Sequence, residues 1–344
     1  MELSERKKAV LAEIIRSYIR YGEPVSSKAL CEMLDLGVSS ATMRNEMSEL
    51  SEEGYLKQPH TSAGRIPTNL GYRFFVADLM EKQPVSADMK SSIDNLLEKA
   101  SHDPEHLMSV AGMILSDITG LPTIISASSN EEAYIKRAEV LPVGRRMVMI
   151  ALLSSDGQAK SRLCRTARDI TPPMLARLDR ILSAKAVGTA VSGFGSELFK
   201  TFIADSGEYA LSLTPIIGSV FEMAEEIHSA KLAIKGESNL ISFYKNEKDA
   251  KAVLDLVTEQ QKFLSLIEGM NDPVGVIFGS DTGIEELRPS NMVIAKYNLS
   301  GSVTGRIGVL GPTRMAYEQV IPGIKYFASK LSQVITDSLI DMEE

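Results

Sequence analysis

Val38-Ser-Ser-Ala-Thr-Met-Arg-Asn-Glu-Met47, then Gly54, then Tyr55-Leu-Lys-Gln-Pro-His-Thr-Ser-Ala-Gly-Arg-Ile-Pro67, is the stretch that decides the fold of the N-terminal part of this chain. Met43, Met47 and Leu50 recur at i, i+4 and i+7, the apolar stripe of a helix that runs from Ser39–Ser40 to about Glu53. At about 100° per residue, Ala41, Arg44, Asn45 and Ser48 fall on the opposite face. That face is small, polar and positive near the helix start, whereas Glu49, Glu52 and Glu53 crowd its far end. Gly54 ends the helix. Tyr55–Gln58 reads as a short strand, Thr61-Ser62-Ala63-Gly64 as a turn with Gly64 supplying a positive φ, and Arg65–Ile66 as the return.

Outward from this stretch, Leu11, Ile14, Ile15 and Tyr18 mark a first helix from about Leu3 to Arg20, capped at Ser4 or a neighbour. Tyr21-Gly-Glu-Pro24 breaks it. A short second helix runs from Ser26 or Ser27 to Leu34, and Asp35-Leu-Gly37 turns the chain into the helix already described. Short helix, glycine-containing turn, longer helix is helix-turn-helix spacing, and a hairpin straight after it is a wing. Thr68–Met80 resumes as a helix with Tyr72, Phe75, Val76 and Leu79 on one side. A recognition helix enters the major groove by its N-terminal half. Arg44 matches guanine O6 and N7, and Asn45 matches adenine N6 and N7. Ser39, Ser40, Thr42 and the free amides of the helix start suit phosphates, and Ser48 completes the face. The hairpin tip, with His60, Thr61, Ser62 and Arg65, suits phosphates or the minor groove. The plainer reading makes Ser39 or Ser40 a helix cap and leaves Arg44 and Asn45 in solvent.

Val38-Ser-Ser-Ala-Thr-Met-Arg-Asn-Glu-Met47, Gly54-Tyr-Leu56, Pro59-His-Thr-Ser-Ala-Gly-Arg-Ile-Pro-Thr68 and Gly71-Tyr-Arg73 together resemble HrcA, the bacterial heat-shock repressor family. Ile307-Gly-Val-Leu-Gly-Pro-Thr-Arg-Met-Ala-Tyr317 resembles the same family's closing motif, so the resemblance covers essentially the whole chain. Met43 stands where that pattern has isoleucine, a volume-conserving change on the core face. The resemblance implies a winged helix followed by a GAF-like α+β domain that carries an inserted dimerisation domain. It implies a homodimer that represses chaperone operons from an inverted-repeat operator in double-stranded DNA and is released on heat stress. It also implies a GroEL-type chaperonin that helps the repressor reach its active fold.

Beyond residue 80 the pattern alternates. Lys82–Ser101 is a charged helical stretch, and Glu105–Leu115 is an amphipathic helix. Thr123–Ala127, Glu139–Leu141, Met147–Leu153 and Ala159–Cys164 read as strands, as do Gly275–Phe278, Met292–Tyr297 and Ser302–Leu310. Pro172–Ser183, Asp249–Glu268 and Met315–Leu339 read as helices. The expected division is a DNA-binding domain over 1–80, a helical linker over 81–104, a GAF-like domain over 105–187 and 236–344, and the insert over 188–235. The apolar residues of that insert, among them Phe194, Leu198, Phe202 and the Leu211–Phe221 run, exceed what a loop needs. Dimer surface and intradomain core both account for them.

The net charge of −8 excludes a protein that coats nucleic acid indiscriminately, and leaves room for a specific binder with a local positive face. Residues 1–80 hold ten Lys/Arg against eleven Asp/Glu, so the arrangement of charge must do what its total does not. Apolar runs such as Met147–Leu153 fall far short of the roughly 20 residues that span a bilayer. No apolar segment follows the charged N-terminus, so neither a signal peptide nor a membrane role is expected. Cys31 and Cys164 read as two separate thiols in a reducing cytoplasm. His102 and His106 have a metal-compatible spacing, but Pro104 lies between them and no partner ligand is evident, so no metal is expected. Gly301-Ser-Val-Thr-Gly-Arg-Ile-Gly-Val-Leu-Gly311 lacks the Gly-Lys-Ser/Thr ending of a phosphate loop and reads as strand and turn. No catalytic set and no cofactor is expected. The alternatives are a regulator that senses a small molecule through a polar-lined pocket in the GAF-like domain and, further off, an enzyme using the glycine-rich stretch.

Overall fold

Serine caps organise the N-terminal helices. Ser4 accepts a hydrogen bond from the Lys7 amide and opens α1 (Glu5–Tyr21), which Gly22 closes in the left-handed region at φ 72°. Ser26 caps α2 (Ser27–Met33) through the Ala29 amide, and Ser39 caps α3 (Ser40–Glu52) through the Thr42 amide. Each side-chain oxygen satisfies an amide that the first helical turn leaves without a partner. β1 (Leu56–Lys57) and β2 (Ile66–Pro67) pair antiparallel, with Leu56 opposite Pro67. Just before β2, Arg65 exchanges both backbone hydrogen bonds with Val25, at 3.0 and 2.9 Å, which ties the hairpin to the α1–α2 connection. α4 (Asn69–Phe74) then widens into a π turn over Phe75–Leu79. These elements come from a computed structural model that describes residues 3–341 apart from 35–36, 61–62, 82, 101–103, 128–131, 244–250, 254, 257–259, 271 and 301–302. The turn residues Asp35 and Leu36, the candidate ligand His102 and part of the Asp249–Glu268 helix lie outside the described residues.

The remainder is mixed helix and sheet. α5 (Ala87–Glu98) and α6 (Pro104–Thr119) lead into β3 (Thr123–Ala127). The meander β4 (Ile135–Gly144), β5 (Met147–Ser154) and β6 (Ala159–Arg165) is followed by α7 (Pro172–Ile181), α8 (Ser196–Ser206) and α9 (Ala210–His228). Then come β7 (Lys231–Lys235), α10 (Ser238–Phe243), α11 (Gln260–Glu268), β8 (Val274–Phe278), β9 (Ser290–Ser300), β10 (Val303–Pro312) and α12 (Tyr317–Asp341).

Among the described residues of this part, two antiparallel sheets result. One has the order β7-β3-β10-β9-β8 and the other the order β4-β5-β6. The five-stranded sheet is apolar on both faces, with the strand period of two. Ile125, Val293, Ala295, Ile307 and Val309 share a core with α5, α6, α12 and the N-terminal helices. Ile124, Met292, Ile294 and Leu310 share another with Leu240, Phe263 and Ile267. The three-stranded sheet has its own core, in which Val148, Ile150 and Leu152 meet Leu178, Phe202, Ile216 and Val220.

This grouping differs from the division read in the sequence. The expectation kept 105–187 with the C-terminal sheet and set 188–235 apart. Instead, among the described residues β4, β5 and β6 pair only with one another and pack beneath α7–α9, whereas β7 joins the large sheet beside β3. Alternation marks a strand and its buried face but carries no record of the strand's partner. The expected linker is packed as well: α5 buries Ile93 and Leu97, Tyr326 donates to Asp94, and Lys330 pairs with Glu98 at 2.8 Å. The N-terminal helices rest on the rest of the molecule through Arg16–Glu318 at 2.9 Å, Arg73–Asp281, and the Tyr72 and Tyr317 rings at 6.0 Å.

Candidate nucleic-acid interface

α3 buries Met43, Met47 and Leu50 and exposes Arg44 and Asn45, with Ser48 half-buried beside them. The face drawn from the sequence is therefore the outward face. Ser39 does what the plainer reading asked of it: its Oγ accepts from the Thr42 amide at 3.2 Å and lies 3.1 Å from Thr42 Oγ1. Ser40 Oγ lies 3.1 Å from Ser27 Oγ and so stitches α3 to the start of α2. A hydroxyl pair uses one of its two protons, so each pair keeps one for an outside acceptor such as a phosphate oxygen.

The hairpin places its residues unevenly. His60 is exposed, while Thr61 and Ser62 lie outside the described residues. Gln58 Nε2 donates to the Ala63 carbonyl at 2.9 Å and spans the turn. Arg65, read from the sequence as a tip residue, sits at the root, because its backbone belongs to the bridge with Val25. Its side chain is half-buried, and Nε donates to Ser51 Oγ at 3.0 Å on the last turn of α3. Gly64 corrects the sequence reading in another way. It is not among the glycines with positive φ. What it supplies is the absence of a side chain, since a Cβ there would stand 2.2 Å from the Val25 carbonyl oxygen. The close approach of two backbones is the reason for glycine at this position.

A cleft of about 330 Å³ brings Arg44 of α3 and Arg65 of the hairpin together with Ser26, Ser27 and Gln58 over a floor of Met47. Ser26 and Ser27 were legible only as helix caps and Gln58 only as a strand residue. Their nearness to Arg44 depends on how α2 and the hairpin flank α3.

The arrangement of charge settles the near-neutral balance of this region. Arg6 pairs with the buried carboxylate of Glu46 at 2.5 Å, and Lys7 pairs with Glu49 at 2.8 Å and Glu53 at 2.7 Å. Hydrogen bonds that the Lys7 ammonium donates to Glu49 and then to Glu53 hold it above the ordinary lysine range. Lys8, Arg16 and Arg73 also have carboxylate partners, and Arg20 lies over the Tyr21 ring. Among the described residues, no ion pair engages Lys28, Arg44, Lys57 or Arg65. Acids on the back of α3 are thus met by cations from α1, and the cations of α2, α3 and the hairpin stay open to an outside anion. Among the described residues there is no cluster of metal-ligating side chains, and no helix is long and apolar enough to cross a membrane. Cys31 and Cys164 are free thiols, the first half-buried and the second buried.

Known proteins resemble this chain along its length. The family model described as the HrcA protein C terminal domain matches residues 105–321. A heat-inducible transcription repressor HrcA of Clostridium tetani is 31% identical over 99% of this chain and 98% of its own length. Its counterpart in Acetivibrio thermocellus is 30% identical over 97% and 96%. A crystal structure of a hypothetical protein superposes with a TM-score of 0.70 over 98% of this chain and all of that one, at 24% identity, and so shares the fold.

Proposed function

The chain belongs to the HrcA family of heat-inducible transcription repressors, and from that premise we propose that residues 1–80 form a winged helix that reads an inverted-repeat operator. Repression of heat-inducible transcription is the chain's function by its family. The geometry of the reading is ours, and one observation carries it: α3 presents Arg44 and Asn45 outward while Glu46 and Glu49, with Glu53 at its end, are neutralised from behind by α1. In this reading Arg44, Asn45 and Ser48 face base edges, and Ser39, Ser40, Thr42, His60, Thr61, Ser62 and Arg65 hold the backbone. The role is one of binding, with no catalytic step.

A two-fold operator calls for a two-fold protein. We assign dimerisation to the unit built from β4–β6 and α7–α9, in place of 188–235, and treat the five-stranded sheet with its flanking helices as the GAF-like part. On the uncovered face of β4–β6, Leu141, Met149 and Leu163 stand opposite one another in one cross-strand row. Leu141 is 44% and Leu163 60% exposed, an apolar patch that a second copy would cover. The chaperonin of the GroEL type enters through the family, as a helper to a marginally stable repressor. Buried Arg306, whose Nε and Nη1 have no hydrogen-bond partner among the described residues, is a feature that lowers stability in this way.

Titration of the folded protein onto an inverted-repeat heat-shock operator and onto a scrambled duplex at physiological salt tests the reading. A preference of about 10³-fold or more for the operator is expected. Equal, weak binding to both, with fold and dimer verified and chaperonin supplied, overturns the assignment of this operator.

A further inference from the structure

A cavity of about 290 Å³ lies between α5, α6, α12 and the segment that joins β10 to α12. Its floor is apolar and buried, made by Ile93, Leu115, Leu121, Met315 and Ile324. Thr119 lines it too, but its hydroxyl donates to the Leu115 carbonyl and accepts from the Leu121 amide, so it asks nothing of a ligand. Among the described residues one charged side chain lines the cavity: Arg314, exposed at the rim. Among the described residues no carboxylate pairs with that guanidinium; the neighbouring Glu318 is taken by Arg16.

An apolar pocket with a single open cation at its mouth selects by shape and charge together. We propose that this cavity binds a small amphipathic anion, an apolar tail with one carboxylate, the tail among the floor residues and the carboxylate on Arg314. The volume corresponds to about ten water-sized groups at roughly 30 Å³ each, which sets the size of the ligand at about ten non-hydrogen atoms. Burial of the tail drives binding, and the guanidinium fixes its polarity through charge-assisted hydrogen bonds. The position has a structural consequence. Arg314 lies against the end of α1, since a Cβ on Gly22 would meet its Nη1 at 2.8 Å. Tyr317 and Glu318, three and four residues on, hold Tyr72 and Arg16 of the N-terminal helices. The pocket therefore opens at the joint where those helices rest on the body, and not within the strands of either sheet. The binding proposal stands independently of the operator reading.

Calorimetric titration of octanoate and octylammonium into the full-length protein, without DNA and below their aggregation concentrations, tests it. Saturable binding of one octanoate per chain is expected, with octylammonium at least tenfold weaker. Arg314→Gln is expected to weaken octanoate at least tenfold and leave octylammonium unchanged. Gly323→Leu, whose Cβ would start 3.4 Å from Met89 Sδ, fills the pocket and is expected to abolish binding of both. Equal affinity for the two amphiphiles, indifference of octanoate to Arg314→Gln, or no saturable binding at millimolar octanoate overturns the proposal. Thermal unfolding verifies that each variant is folded. Should Gly323→Leu not fold, the exposed Arg314 decides the matter alone.

Discussion

Arg44 and Arg65 line one cleft, yet their settings differ. Arg44 is exposed on the outward face of α3, free to meet a base edge, whereas Arg65 is half-buried and anchored through Ser51. Arg44→Ala is expected to lose about 1–3 kcal/mol on the correct operator and to flatten base preference. Arg65→Ala is expected to weaken correct and scrambled duplexes alike, with a shallower dependence on salt. Anisotropy titrations at several salt concentrations separate the two, and identical behaviour of the variants refutes the division of roles. Gly64→Ala forces a Cβ onto the Val25 carbonyl and is expected to cost about 1–3 kcal/mol of stability, read from denaturant unfolding. Arg306 is a different kind of residue. Burial pushes its proton affinity down, Nη2 donates to the Met270 carbonyl at 2.8 Å, and its other two nitrogens have no hydrogen-bond partner among the described residues. Arg306→Met removes that cost, and a gain of about 1–3 kcal/mol with a higher unfolding temperature is expected. An unchanged or lower midpoint would mean that the charge is compensated in solution.

At the scale of the element, α3 is a helix whose two sides are managed separately. Its N-terminal half is small and open. Glu46, Glu49 and Glu53 are held by Arg6 and Lys7 of α1, so in the proposed reading these three acids do not oppose the approach of the helix to DNA. Lys7→Gln leaves Glu49 and Glu53 uncompensated. Operator and scrambled duplex are then expected to bind several-fold more weakly, with their ratio intact, because the change is in field and not in readout. A change in the ratio itself, measured in the same titrations, would show that α1 sets the position of α3 and not merely its charge.

For the whole molecule, the proposed operator reading turns on the geometry of two N-terminal units in a dimer. The N-terminal helices are docked on the body by Arg16–Glu318 and the Tyr72–Tyr317 contact, and the body dimerises, in our reading, through the open face of β4–β6. Leu163→Glu places a charge at the edge-strand end of the Leu141–Met149–Leu163 row on that face. Sedimentation is expected to show a monomer, with the fold retained and operator affinity reduced to that of a single half-site. A variant that remains dimeric moves the interface elsewhere on the molecule.

Local signals alone determined a good deal. The three serine caps, the glycines that close α1 and α3, the Met43–Met47–Leu50 stripe and the outward Arg44 and Asn45 all follow from rules that act within a few residues, and the structure has them where the sequence puts them. Tertiary structure decided what depends on distant partners. Arg6 finds Glu46 and Lys7 finds Glu53 across some forty residues, so the charge of the interface is invisible to a count along the chain. Gly64 is glycine because Val25 passes over it, and Arg65 lies at the hairpin root for the same reason. Strands β4–β6 read as strands, but that they leave the large sheet for α7–α9, and that the short β7 takes the place beside β3, rests on pairing. An alternating pattern encodes which face is buried and carries no address for what buries it, so periodicity fixes the elements while only the packed chain fixes their company.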